Sequence, residues 1–78
     1  MVNLRSLLTF ARRGQWEEVH QQVQADDSLL GAWLHGIVHI EENDLDNARH
    51  WYSRAQRDFD HRGTVADELA KLESELLD

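Results

Sequence analysis

The sequence predicts an all-α protein made of two stacked antiparallel helical hairpins and a C-terminal closing helix. Three observations favour this fold: the 78-residue chain has no proline and only four glycines, its apolar residues recur at helical spacing, and the polar stretches between apolar stripes are short. Short connections make successive helices antiparallel neighbours. We expect a single domain over residues 1–78, with hairpins at 3–25 and 28–59 and a closing helix at 64–77.

Two apolar stripes predict the helices of the first hairpin. Gly14 separates them, because glycine readily adopts the left-handed conformation that often ends a helix. The second helix ends in the cluster Ala25-Asp26-Asp27-Ser28, where Asp27 or Ser28 can cap the helix that follows. The stripes consist of Leu4, Leu7, Leu8 and Ala11, then Trp16, Val19, His20 and Val23.

The second hairpin contains the most apolar segment, which we place at the centre of the protein. Asn43 tolerates a left-handed turn, and Asp44 can cap the fourth helix. An apolar face extends this fourth helix as far as Phe59. The residues of the two faces are Leu30, Trp33, Leu34 and Ile37, then Leu45, Ala48, Tyr52, Ala55 and Phe59.

The closing helix begins at a capping box, in which the Thr64 hydroxyl pairs with the Asp67 amide. Its narrow stripe contains Val65, Leu69, Leu72 and Leu76. Such a stripe suits either a homodimer seam through residues 65–76 or a lid on the core of the same chain.

Composition restricts the classes of function. Because cysteine is absent, disulfides and thiolate chemistry are excluded. The net charge of −7 opposes binding to nucleic acid. No segment approaches the length of a membrane span, and the first ten residues are a poor signal peptide, so we expect a cytoplasmic protein that does not enter membranes.

A weak internal repeat relates the two hairpins. Moving the sequence by 29 residues superposes the Gly14 turn on the Asn43 turn and aligns apolar positions. The spacing of Gly36, Ala48, Tyr52 and Ala55 resembles the tetratricopeptide repeat. That resemblance implies a helical hairpin in which small residues permit close approach and an aromatic side chain fills the gap to the next hairpin. The chain departs from the repeat in lacking its terminal proline, and Trp33 stands one position late.

A second resemblance covers about 25 residues. The segment is similar to a motif of uncharacterised small helical proteins, which brings no established activity. The matching residues are Leu34, His35, His39, Glu42, Asp44, Asn47, Ala48, Trp51, Tyr52 and Ala55.

The first functional hypothesis is a non-catalytic module that presents a shallow groove between helices to a partner protein or peptide. Trp16 or Trp33 would supply buried apolar area, and Arg49 and Arg54 would orient an acidic segment. Trp51 is a further candidate contact, because a chain this small cannot easily enclose three indoles. The alternative for the arginines is a set of solvated ion pairs along a helix. No sequence motif of an enzyme is present, and we expect no catalytic activity.

The second hypothesis is a small metal-binding or acid/base site. His35, His39 and Glu42 stand at positions i, i+4 and i+7 and therefore share a helix face, while His50 could face them from the antiparallel fourth helix. Imidazoles and a carboxylate are suitable ligands for zinc or another divalent metal. The alternative is that these histidines edge the core and need no cofactor.

Overall fold

The computed structural model describes residues 3–77, and this part of the chain contains five α-helices, one 3₁₀ turn and no β-strand. The predicted all-α fold is therefore confirmed. Helix α1 packs on α2, α2 packs on α3, and α3 packs extensively on α4. The closing helix α5 lies against α3 and α1. The elements are α1 (Leu4–Arg12), α2 (Trp16–Val23), α3 (Leu29–Glu41), α4 (Leu45–Arg54), the 3₁₀ turn (Phe59–His61) and α5 (Val65–Leu77).

Helix α3 forms the centre of the core. Every residue from 31 to 39 is buried, because α2, α4 and α5 all pack on this helix. The remaining core side chains come from the stripes of the surrounding helices. Large side chains that are almost fully enclosed are Leu7, Leu8, Val19, Val23, Trp33, Leu34, Ile37, Val38, Tyr52 and Leu72.

Three helices end in the same backbone motif. After α1, α3 and α4, the residue beyond the C-cap has a positive φ angle: 79° at Gly14, 60° at Asn43 and 62° at Gln56. The next amide then donates to a carbonyl in the last turn of the helix, which is the Schellman pattern. These bonds join Gln15 to Phe10 at 2.9 Å, Asp44 to His39 at 2.8 Å and Arg57 to Tyr52 at 2.9 Å. The expected stops at Gly14 and Asn43 are confirmed.

The prediction that the fourth helix continues to Phe59 is wrong. Helix α4 ends at Arg54, because Gln56 takes the left-handed conformation and closes the helix. Phe59 instead lies in the 3₁₀ turn, where it is still buried and contacts Tyr52 edge to face. Leu45, also placed on the inner face, is 43 % exposed.

The helix N-termini agree with the predicted caps. The Ser28 hydroxyl accepts from the Gly31 amide at 3.0 Å, and the Asp44 carboxylate holds the amide and side chain of Asn47. Thr64 and Asp67 exchange amide-to-side-chain bonds of 3.1 and 3.2 Å, as a capping box requires. Asp26 adds a bond that was not predicted, since its carboxylate accepts from both the amide and the hydroxyl of Ser28.

Close approach between α3 and α4 depends on Gly36. A Cβ atom on this residue would lie 2.5 Å from Cδ1 of Tyr52 and 3.3 Å from the Ala48 carbonyl oxygen. The absent side chain thus makes room for the tyrosine ring. Gly36 therefore allows α3 and α4 to approach closely.

The stripe of α5 faces the core of its own chain. Leu69 and Leu72 are buried, and Val65 and Leu76 pack on the core from its edge. Of the two uses expected for residues 65–76, the structure shows the lid on the core. None of the helices within residues 3–77 has the length and apolarity needed to span a membrane.

Candidate metal site

Three histidine side chains meet where α2 packs on α3. Each of His20, His35 and His39 offers a ring nitrogen that lies within 4.8 Å of those of the other two. The shortest approach, 3.2 Å, joins Nε2 of His20 to Nε2 of His35. We call His20, His35 and His39 the histidine cluster.

The sequence positions this cluster through two helices. His35 and His39 are one turn apart on α3, and their rings stack nearly in parallel with centres 5.1 Å apart. His20 reaches them from the apolar stripe of α2, and its ring stands edge-on to both. The second hairpin therefore supplies two buried imidazoles, His35 and His39, and the first hairpin supplies the half-buried imidazole of His20.

The carboxylate of Glu42 spans the outer side of the cluster. One of its oxygens lies 3.2 Å from Nδ1 of His20, and the other lies 3.4 Å from Nδ1 of His39. Its contacts are with Nδ1 atoms, whereas the short contact between His20 and His35 uses Nε2 atoms. A carboxylate in this position orients histidine rings from behind, as it does around many bound metals.

His39 has an unusual polar atom. Its Nδ1 is buried and has no hydrogen-bond partner of good geometry among the described residues, although Glu42 and Asp44 oxygens lie 3.4 and 3.7 Å away. A buried polar atom without a partner costs free energy. A small rotation of the ring or of Glu42 would satisfy it.

His35 occupies the innermost position of the cluster. Burial first, and then the nearby charges of His20, His39 and Arg54, together lower the pKa of this imidazole from 6.5 to about 4. The Trp51 ring stacks on His35 with centres 3.9 Å apart, and the Arg54 guanidinium lies over the same indole. His35 is therefore neutral at pH 7, which is the protonation state that metal coordination requires.

The donor set fits zinc better than calcium or magnesium, which prefer oxygen ligands. Tetrahedral zinc with nitrogen ligands places those nitrogens roughly 3.4 Å apart. The 3.2 Å contact between His20 and His35 already has about this value. The ring nitrogen of His39 lies within 4.8 Å of both.

The side chains that lie together in the structure differ from the set expected from the sequence. It brings His35 and His39 together, and it places Glu42 beside them as a neighbour of Nδ1 atoms. His50 does not belong to the cluster; it is exposed and contacts Trp51 edge to face. His20 of α2 takes the position predicted for His50, because the residue of α4 that contacts His35 is Trp51 and not its neighbour His50.

Trp33 was expected as a partner-binding residue, and this expectation needs correction. The indole is 1 % exposed, its Nε1 donates to Glu68 at 3.3 Å, and Arg57 covers one ring face. Trp33 thus offers almost no surface to another protein. Trp51 is half-buried against His35, and Trp16 is half-buried at the turn between α1 and α2.

Of the two arginines expected to bind a partner, Arg49 is paired within the chain and Arg54 is not. Arg49 forms a two-pronged ion pair with Asp60, with contacts of 2.7 and 3.3 Å. The hydrogen bonds that Arg49 donates to Asp60 raise the pKa of the guanidinium group and lower that of the carboxyl group. Arg54 is exposed and lies over the Trp51 ring, which leaves its guanidinium edge available.

A buried carboxylate that the sequence did not reveal connects three helices. Glu68 of α5 is 4 % exposed and accepts hydrogen bonds from Tyr52 of α4, Trp33 of α3 and the Gly63 amide. Burial alone would raise the pKa of Glu68, but these bonds and the Lys71 ammonium outweigh it and hold the pKa below its usual value. Full hydrogen bonding identifies Glu68 as a structural group.

Comparisons of the chain with protein-family models, with curated proteins and with solved structures found no match.

Proposed function

We propose that this protein binds a divalent transition metal, with zinc as the best fit, through the imidazoles of His20, His35 and His39. The observation that carries the proposal is the convergence of three histidine nitrogens within 4.8 Å, with one pair already at 3.2 Å. Glu42 would act behind the ligands by accepting hydrogen bonds from Nδ1 atoms of His20 and His39.

Electrostatics supports this proposal. Three imidazoles in one place repel each other when protonated, and His35 is already neutral at pH 7 because it is buried. A bound cation would replace that repulsion with favourable coordination. The negative charge of Glu42, which contacts two of the rings, would offset part of the charge of the metal.

Metal binding would connect the two hairpins. His20 belongs to the first hairpin, whereas His35 and His39 belong to the second, so one ion would clamp α2 to α3. A ligand that binds only the folded state stabilises it by an amount that grows with concentration. Three protein nitrogens also leave a tetrahedral ion one position for water or another ligand.

The test is calorimetric titration of metal-free protein with zinc, combined with thermal unfolding in zinc and in EDTA. We expect one zinc per chain and a higher melting temperature in zinc. His20→Gln should remove binding without disturbing the core, because this residue is half-buried. His39→Gln removes a buried imidazole and should also abolish binding, with its metal-free melting temperature measured as the check on the fold. His50→Gln is the matched control and should retain full binding.

Two results would contradict the proposal. One is a wild-type protein whose melting temperature is the same in zinc and in EDTA. The other is zinc binding that His20→Gln leaves intact while His50→Gln abolishes it, since that would return the site to the ligands expected from sequence alone.

The second candidate function is the partner binding predicted from the sequence, now centred on Trp16. The observation that favours it is a surface depression of about 340 Å³ lined by Phe10, Trp16, Glu17 and Glu18. Aromatic side chains in a shallow depression often anchor protein contacts. The acidic rim would suit a basic segment rather than the acidic one expected from Arg49 and Arg54. Loss of a co-purifying protein in Trp16→Ala, with Trp51→Ala as the comparison, would support this function; identical co-purification would argue against it.

A further inference from the structure

A second feature, separate from the histidine cluster, lies where the 3₁₀ turn meets α5. Arg57, His61, Arg62 and Lys71 line one surface depression with a volume of about 290 Å³. We call it the cationic recess. Three of the eight Lys and Arg residues of a chain with net charge −7 are thus gathered in one small place.

Two guanidinium groups in the cationic recess are fixed on buried aromatic rings. The Cζ atom of Arg57 lies 3.7 Å from the centre of the Trp33 ring, and that of Arg62 lies 3.9 Å from the centre of the Phe59 ring. Stacking of this kind restrains a side chain that otherwise has many rotamers. Both arginines are therefore already ordered before a ligand binds, so binding loses less side-chain entropy.

The two carboxylates at the cationic recess already have partners. Asp58 accepts from the Asp60 amide and contacts Nδ1 of His61. The other carboxylate, Glu68, is the buried structural group described above. Glu68 also lies 3.5 Å from the Lys71 ammonium, so the two acids offset part of the local positive charge. The hydrogen bonds of Arg57 and Arg62 go to other acceptors.

Donors remain on both arginines. Arg57 uses Nη1 for an ion pair with Glu75 at 2.8 Å, and Arg62 uses Nη1 for the Phe59 carbonyl at 2.9 Å. Each guanidinium has five N–H groups, so several stay free for an external acceptor. Two such planar groups suit the tetrahedral oxygens of a phosphate, which arginine can bind with paired hydrogen bonds.

We propose that the cationic recess binds the phosphate group of a small phosphomonoester through the stacked guanidinium groups of Arg57 and Arg62, with Lys71 at the rim. The size of the recess suits a small molecule. An extended nucleic acid is a poorer candidate, because its many phosphates would meet the negative field of the rest of the chain.

Phenyl phosphate is the probe for this site, titrated into ¹⁵N-labelled protein in EDTA at constant ionic strength. We expect saturating shifts of the amides at residues 56–63 and 71 and of the Nε–H groups of Arg57 and Arg62. Arg62→Gln should weaken binding at least tenfold. Arg13→Gln, which removes an exposed charge at the end of α1, is the matched control and should leave binding unchanged.

A parallel titration with inorganic phosphate asks whether the anion alone is recognised, and saturation at the same amides would support the proposal. Lys71→Gln provides an independent variant at an exposed residue, and a severalfold loss of affinity is expected even if Arg62→Gln disturbs the 3₁₀ turn. Shifts that fail to saturate, that spread over the chain, or that remain equal in Arg62→Gln, Lys71→Gln and wild type would overturn the proposal.

Discussion

The hydroxyl of Tyr52 donates a 2.7 Å hydrogen bond to Oε1 of Glu68, and both groups are buried. Burial and this bond raise the pKa of Tyr52, so the phenol stays protonated and remains a donor. Trp33 donates to the same oxygen, and the second oxygen accepts from the Gly63 amide. One carboxylate thus joins α3, α4 and the start of α5 through hydrogen bonds that are protected from water.

Removing a donor from this network should destabilise the protein measurably. Tyr52→Phe removes one charge-assisted bond, and we expect a loss of about 2 kcal/mol in the free energy of unfolding. Glu68→Ala should cost more, because it leaves the Tyr52 hydroxyl and the Trp33 indole without their acceptor. Urea unfolding followed by tryptophan fluorescence measures both. Glu75→Ala, which removes an exposed partner of Arg57, should change stability little; equal losses in all three variants would contradict a special role for Glu68.

The metal-free protein should lose stability in acid because of His35. Its folded pKa of about 4 lies below the unfolded value of 6.5, so the unfolded chain binds more protons between these values. The contribution of neutral His35 is complete above pH 6.5 and is lost as the pH falls towards 4. We expect about 2 kcal/mol after allowance for solvent screening.

Urea unfolding in EDTA from pH 7.5 to pH 4 tests this dependence on His35. Carboxylates also lose stabilising interactions in acid, and Glu68, whose pKa is lowered, contributes to that loss. The informative quantity is therefore the difference between wild type and His35→Gln, which should shrink as the pH falls. A difference that is constant over this range would show that His35 has an ordinary pKa.

Gly36→Ala should destabilise the protein although alanine is the better helix former. The added Cβ would meet the Tyr52 ring at 2.5 Å, and that ring is held by Glu68 and cannot move freely. We expect a loss of about 1–3 kcal/mol, typical of an overpacked core. Gly31→Ala is the comparison within α3: the three atoms nearest to the new Cβ, at 2.5 to 2.8 Å, belong to Asp26, whose half-buried side chain can shift towards solvent at the cost of its bonds to Ser28. Thermal unfolding should give the lower melting temperature for Gly36→Ala, and the reverse order would contradict this account.

Gln56→Gly should stabilise the protein. Gln56 has a φ angle of 62°, which glycine adopts without strain, and its position ends α4. A gain of about 0.5–1 kcal/mol is expected. Gln24→Gly is the control, because Gln24 has a φ angle of −59° and glycine should lower stability there. Chemical denaturation of the two variants measures both changes; a loss of stability in Gln56→Gly would show that the side chain contributes more than the backbone costs.

Local signals in the sequence predicted much of the fold. Gly14, Asn43, Ser28 and Thr64 determine helix ends by their own conformational preferences, which is why those ends could be predicted. Gln56 closes α4 in the left-handed conformation, but glutamine is not a residue that usually adopts this conformation. The end of α4 could therefore not be predicted from the sequence. Glu68 lies one helical turn from both Val65 and Leu72, so its position is on the inner face of α5. Its burial was not predicted, because a carboxylate is ordinarily assigned to the surface.

The candidate site was predicted in part for a related reason. His35 and His39 lie on one helix, and their spacing alone places them together. His20 depends on how α2 packs across α3, which is a tertiary relationship with no local signature beyond the presence of a histidine in an apolar stripe. The same limitation explains why Trp33 was expected in a groove and is found in the core.

Helix α2 ends without the left-handed residue that closes α1, α3 and α4, since Ala25, the residue beyond its C-cap Gln24, has no positive φ angle. The joint between the hairpins is instead organised by side chains, with Asp26 holding Ser28 and Ser28 capping α3. The angle at which His20 meets His35 therefore depends on a short polar linkage at the surface. Changes in ionic conditions or substitutions at Asp26 would therefore alter the distances within the histidine cluster by moving α2 relative to α3, although Asp26 contacts none of the imidazoles.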